Sequence, residues 1–139
     1  METKFAAEQT LGKLAKWLRI LGFDTIYPSD HMHPVENGRI LLTRNKRILD
    51  ECKTAKLIFI KSDQPFKQLQ EVVKAVGIVN EDLKTFTRCI RCNAKIRTID
   101  KNSLRSVVAD YVWESQDSFK TCRKCKRIYW QGSHIKRSR

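Results

Sequence analysis

The sequence predicts an α/β fold with a central, mainly parallel sheet, followed by a small basic unit organised around cysteines. Three observations carry this. Strand-sized apolar runs alternate with amphipathic stretches of helical period through residues 1–85. A polar stretch, Asn80–Thr87, then separates two compositions. Beyond it, residues 86–139 hold four of the five cysteines as two pairs and carry 14 Lys/Arg against 4 Asp/Glu. A length of 139 residues suits one compact domain, 1–85, with a smaller appendage, 86–139.

The elements follow in order. Leu11, Leu14, Ala15, Leu18 and Leu21 keep three-and-four spacing, so they share one face of a helix. Thr10 is placed to cap its start and Gly22 to end it. Trp17 lies on the edge of that apolar stripe, whereas Lys13, Lys16 and Arg19 step by three on another side. Thr25–Tyr27 reads as a short strand, broken by Pro28, Ser29 and Asp30. Arg39–Thr43 and Leu57–Ile60 are buried-strand patterns. Phe66, Leu69, Val72, Val73 and Val76 form a second amphipathic helix stopped near Gly77. In the second unit Val107–Ala109 and Arg127–Trp130 are the expected strands.

Charge narrows the class of partner. The chain carries a formal +13, of which residues 1–85 supply 14 Lys/Arg against 11 Asp/Glu, leaving a net of +10 in the second unit. Such a field favours a polyanion, foremost RNA, and salt-sensitive association. No apolar run reaches membrane-spanning length, and the N-terminus lacks the apolar core of a secretory signal, so an intracellular, cytoplasmic protein with no membrane partner is expected.

The cysteines are the most specific local signal. Cys89-Ile-Arg-Cys92 and Cys122-Arg-Lys-Cys125 are separated by 29 residues. Each pair can close a turn that aims two sulfurs at one point, and two such turns supply the tetrahedral thiolate set that structural zinc prefers. Disulfides are the alternative in an oxidising compartment, and redox dithiols the alternative at the head of a thioredoxin-like helix; neither context is present. Cys52 is left over and reads as a small buried apolar residue. His31 and His33 give only a weak metal signal.

Several stretches carry a resemblance. Phe5-Ala-Ala-Glu-Gln-Thr-Leu-Gly-Lys-Leu-Ala-Lys-Trp-Leu-Arg-Ile-Leu-Gly-Phe-Asp24, then Arg39-Ile-Leu-Leu-Thr-Arg-Asn45, the two cysteine pairs, and Tyr129-Trp-Gln-Gly-Ser-His134 together resemble the Mut-seven C-terminal RNase domain family. The resemblance implies a PIN-like nuclease domain followed by a zinc ribbon, and a ribonuclease that uses Mg²⁺ or Mn²⁺ held by carboxylates at the C-terminal edge of the sheet. Two departures bear on the chemistry. Glu8 stands where the family has an aspartate after its first strand, and Asn45 where it has an aspartate after Leu-Leu-Thr-Arg. Glu8 reaches one carbon further, and Asn45 keeps an oxygen without the charge, so impaired catalysis is expected.

The resemblance makes Glu8, Asp24 and Asn45 the candidate centre; Asp63 joins them because it follows a strong strand run. The bland alternatives are a solvated Glu8, a turn residue at Asp24 and a helix cap at Asp63. Lys13, Lys16 and Arg19, with Arg44, Lys46 and Arg47, are placed to hold phosphates beside the centre. In the second unit Arg123, Lys124, Lys126 and Arg127 lie near Trp130, a pairing of cations and rings that suits single-stranded RNA unless Tyr129 and Trp130 simply pack the ribbon. His134 is a further candidate for contact with RNA or for proton transfer. A different class of function is an inactive adaptor that binds RNA or docks its ribbon onto a larger protein complex.

Overall fold

The computed structural model describes residues 3–28, 38–47 and 56–130. Cys52, His31, His33 and His134 lie outside them. The first unit is a four-stranded sheet of β1 (Lys4–Ala7), β2 (Asp24–Ile26), β3 (Ile40–Thr43) and β4 (Leu57–Phe59), in the order β2-β1-β3-β4. Every neighbouring pair is parallel, with Lys4 opposite Asp24, Ala7 opposite Leu42 and Thr43 opposite Phe59. All four strands therefore run the same way, and the sheet has one N-terminal and one C-terminal edge.

Strand alternation assigns the faces. Phe5, Ala7 and Leu42 pack against Leu14 and Leu18 of α1 (Gly12–Ile20) and Val72 of α2 (Pro65–Val76). Ala6 and Leu41 point to the other face, beside Ile26 and Leu57. This is the amphipathic pattern of the two predicted helices, with Phe5 and Phe23 meeting edge to face at 5.6 Å.

The ends of α1 differ from expectation at one terminus. Thr10 does not cap it: Gln9–Leu11 forms a 3₁₀ turn first, and the Thr10 hydroxyl donates to the Glu8 carboxylate at 2.9 Å. At the other end Gly22 takes φ +95°, and the bonds Gly22 N–H to Arg19 C=O and Phe23 N–H to Leu18 C=O close the helix. A side chain at Gly22 would also collide with the Lys84 carbonyl, because the stretch after α2 docks there through Lys84 N–H to Leu21 C=O, 2.9 Å.

The second unit has a three-stranded antiparallel sheet of β5 (Arg97–Ile99), β6 (Phe119–Thr121) and β7 (Ile128–Trp130). Val107–Ala109 is not a strand. Val107 and Val108 both donate to the Leu104 carbonyl, a turn that leads into α3 (Asp110–Ser115). A small core of Leu104, Val112 and Phe119 lies under this turn, with Trp113 and Trp130 packed against it. Among the described residues no helix is long and apolar enough to cross a membrane.

Candidate functional site

Two cysteine loops of one design build the candidate metal centre. In the first, Cys89 N–H donates to Ala94 C=O and Asn93 N–H to Cys89 C=O, with Asn93 at φ +64°. In the second, Cys122 N–H donates to Arg127 C=O and Lys126 N–H to Cys122 C=O, with Lys126 at φ +63°. Each loop thus returns the chain on itself. The ligand sulfurs of Cys89, Cys92, Cys122 and Cys125 all lie within 4.8 Å of one another. The Cys89 and Cys125 sulfurs are 3.7 Å apart. A tetrahedron with sulfurs about 2.3 Å from its ion has edges of about 3.8 Å, so the set fits zinc.

The surroundings favour thiolate at one corner first. Burial alone would raise the Cys89 thiol, but the Tyr129 hydroxyl and the N–H groups of Cys92 and Arg91 lower it to about 7. Burial and the neighbouring sulfurs push Cys92 up to about 12. Four thiolates this close need a cation to offset their repulsion. The Tyr129 oxygen is 2.9 Å from the Cys89 sulfur, and burial with that contact raises the phenol, so the hydroxyl stays protonated and donates.

The first cysteine loop is fastened to the sheet's N-terminal edge. Arg19 is 7% exposed; its Nε donates to Thr25 C=O at 3.0 Å and its Nη1 to Ile90 and Arg91 C=O at 2.9 and 3.1 Å. It joins the loop to α1 and is not a surface cation. Asn93 covers the open side of the edge strand β2: its side-chain oxygen accepts from Thr25 N–H at 2.9 Å, and its amide donates to Asp24 at 2.7 Å. Asp24 also accepts from Arg39 at 2.8 Å and lies 3.9 Å from Arg88, which itself donates to Asn93 C=O. Burial would raise the Asp24 carboxyl, yet the hydrogen bonds from Arg39 and Asn93 and the charges of Arg39 and Arg88 hold it below the ordinary carboxylate range.

Asp24 and Glu8 therefore do not meet. Asp24 pairs with Lys4, four residues before Glu8 on the neighbouring strand, which at strand rise is about 13 Å. At the C-terminal edge, Glu8 accepts from Arg44 N–H at 2.8 Å as well as from Thr10. Asn45 lies beside it, its N–H donating to the Thr43 hydroxyl at 3.0 Å and its side-chain oxygen accepting from Arg47 N–H at 3.0 Å. Asp63 is exposed and does not cap α2, where Gln64 takes the cap position; Glu71 instead accepts from Lys61 and Ser62 N–H. The four cysteines are the only cluster of three or more potential metal ligands among the described residues. The carboxylate set that Mg²⁺ or Mn²⁺ calls for is not assembled by those residues.

The remaining candidate cations divide by exposure. Lys13, Lys16, Arg44, Lys46, Arg47, Arg123, Lys124 and Lys126 are exposed, while Arg127 is half-buried. Tyr129 is buried beside the cysteines, and the half-buried Trp130 packs on Phe119 with ring centres 6.3 Å apart, so both rings serve packing. Residues that sequence reasoning missed are Arg39 and Asn93, whose side-chain bonds to Asp24 span 15 and 69 positions along the chain. Nothing in a single sequence signals such partners; Arg91, exposed inside the first pair, was in plain sight.

A family profile described as the Mut7-C RNAse domain matches residues 3–139. No curated protein and no solved structure matches.

Proposed function

The chain belongs to the Mut7-C RNAse domain family, and from that premise we propose that it engages single-stranded RNA through its cations, with phosphodiester hydrolysis strongly attenuated. The observation that carries this reading is the bonding of Asp24. A carboxylate tied to Arg39, Asn93 and Arg88 at the sheet's N-terminal edge is unsuited to hold a divalent ion beside Glu8. Asn45 at the other edge is uncharged, and its side-chain oxygen already accepts from Arg47 N–H. Of Glu8, Asp24 and Asn45, Glu8 alone is an acidic group at the C-terminal edge, and the exposed Arg44 and Lys46 that follow β3 suit attraction of phosphate better than concentration of metal. The four-cysteine centre supports folding, since a closed four-sulfur shell leaves no position for substrate.

The test is RNA binding and cleavage on one preparation. Affinity for an unstructured oligonucleotide should fall steeply with salt, with a logarithmic slope near −0.7 for each phosphate neutralised. Cleavage in Mn²⁺ should be slow, and Glu8→Gln should reduce it to background while leaving affinity within about twofold. Rapid Mn²⁺-dependent turnover would refute attenuation. Absence of salt-dependent binding would refute the RNA reading.

A further inference from the structure

A groove runs along α1 where that helix faces the first cysteine loop, with a volume of about 630 Å³. That is within the range of pockets that hold small organic ligands. One wall is α1, with Gly12, Lys13 and Lys16; the other is the loop, with Ile90 and Arg91; Tyr27 and Pro28 close one side. Lys13, Lys16, Arg91 and Arg127 line it, and no carboxylate does among the described residues. Its apolar surface comes from Ala15, Ile90, Pro28 and the Tyr27 ring. Gly12 lets the Tyr27 ring pack closely on the helix: a methyl group in its place would lie 2.8 Å from the Tyr27 hydroxyl, which donates to Gln9 C=O. The ring is thereby fixed against the helix in a defined orientation.

We propose that this groove seats a short segment of single-stranded RNA, phosphates on Lys13, Lys16, Arg91 and Arg127 and a base against Tyr27 and Pro28. The inference rests on the RNA-binding reading and deepens it by naming the place and the chemistry. Cations around an apolar, ring-bearing floor match a single strand, which offers phosphate and an unstacked base together; a duplex hides its base faces. The direction of the groove adds a second argument. α1 starts just after Glu8, at the C-terminal edge, and ends at the N-terminal edge beside Asp24. From Gly12 to Arg19 the helix covers about 10 Å. A strand lying along it is led from the cysteine loop toward the open edge. Arg19 ties the two walls together through the Ile90 and Arg91 carbonyls, so the groove exists only while the loop is docked.

The experiment uses the zinc-loaded full chain and a fluorescent oligouridine of about twelve nucleotides. The double variant K13Q/R91Q removes one exposed cation from each wall, and K67Q/K74Q removes two exposed cations from α2. The first should weaken binding about tenfold at 0.1 M-range salt and make the salt slope shallower by about 1.4; the second should stay within about twofold of the parent. Thiouridine-substituted RNA should crosslink to peptides containing Tyr27 or Ile90. Equal loss in both variants, an unchanged slope in K13Q/R91Q, or crosslinks confined to α2 would overturn the groove while leaving RNA binding intact. Failure of the parent chain to bind at low salt would instead remove the reading on which it rests.

Discussion

The two edges of the sheet are used in opposite ways. At the N-terminal edge Asp24, Arg39, Arg88 and Asn93 are mutually bonded and largely removed from water, and they hold the cysteine loop against α1 and β2. At the C-terminal edge Glu8 accepts from Arg44 N–H and the Thr10 hydroxyl, Asn45 accepts from Arg47 N–H, Arg44 donates to Lys61 C=O, and all three stay accessible. A half-buried carboxylate with three partners is a fastening, and one with two hydrogen bonds at the open edge can still meet a ligand. The difference teaches that the acidic residues of this chain do not form one functional class, although the sequence lists them alike.

The comparison breaks most completely if the metal is withdrawn. Chelation, or Cys122→Ser, should unfold the second unit and release its fastening, because its buried apolar groups form only two small clusters, Leu104, Val112 and Phe119 in one and Ile96 and Tyr129 around the cysteines in the other. Zinc content and near-ultraviolet circular dichroism should fall together. Next in size is Arg19→Met, which leaves the carbonyls of Thr25, Ile90 and Arg91 without their donor. Loss of about 3 kcal/mol in urea unfolding is expected.

A smaller effect sharpens the comparison through pH. The Asp24 carboxyl is lower in the folded chain than its ordinary value of 3.8. Its contribution is therefore full above that value and disappears as pH falls through the lower, folded value. In Asp24→Asn this part of the acid limb should be missing, so the stability gap between parent and variant should narrow below about pH 4. A gap that stays constant with pH would show that Asp24 is not ionised in its pocket.

How much of this was legible in the sequence depends on how local each feature is. The cysteine pairs were legible because two sulfurs across two residues are a local geometry, and Leu41-Leu42 and Leu57-Ile58 were legible as runs. β5 was not: Arg97 and Thr98 are exposed and only Ile99 turns inward, which is too short for a period to register. Val107 invites a strand by its branching, yet it is 62% exposed and sits in a turn. Arg19 was misread with Lys13 and Lys16 because each three-residue step rotates about 60° on a helix of 3.6 residues per turn. By Arg19 the row has moved about 120°, from solvent to the interface. The roles of Asp24 and Asn93 were hidden for another reason: they are 69 residues apart and meet only once both units have folded.

The most direct measurement is urea unfolding of Asp24→Asn beside Glu8→Gln at neutral pH. The account predicts a loss of about 2 kcal/mol for Asp24→Asn, from broken charge-assisted bonds, and a change within about 0.5 kcal/mol for Glu8→Gln. Equal small changes in both, or a gain in stability for Asp24→Asn such as follows removal of a carboxylate held for catalysis, would contradict it.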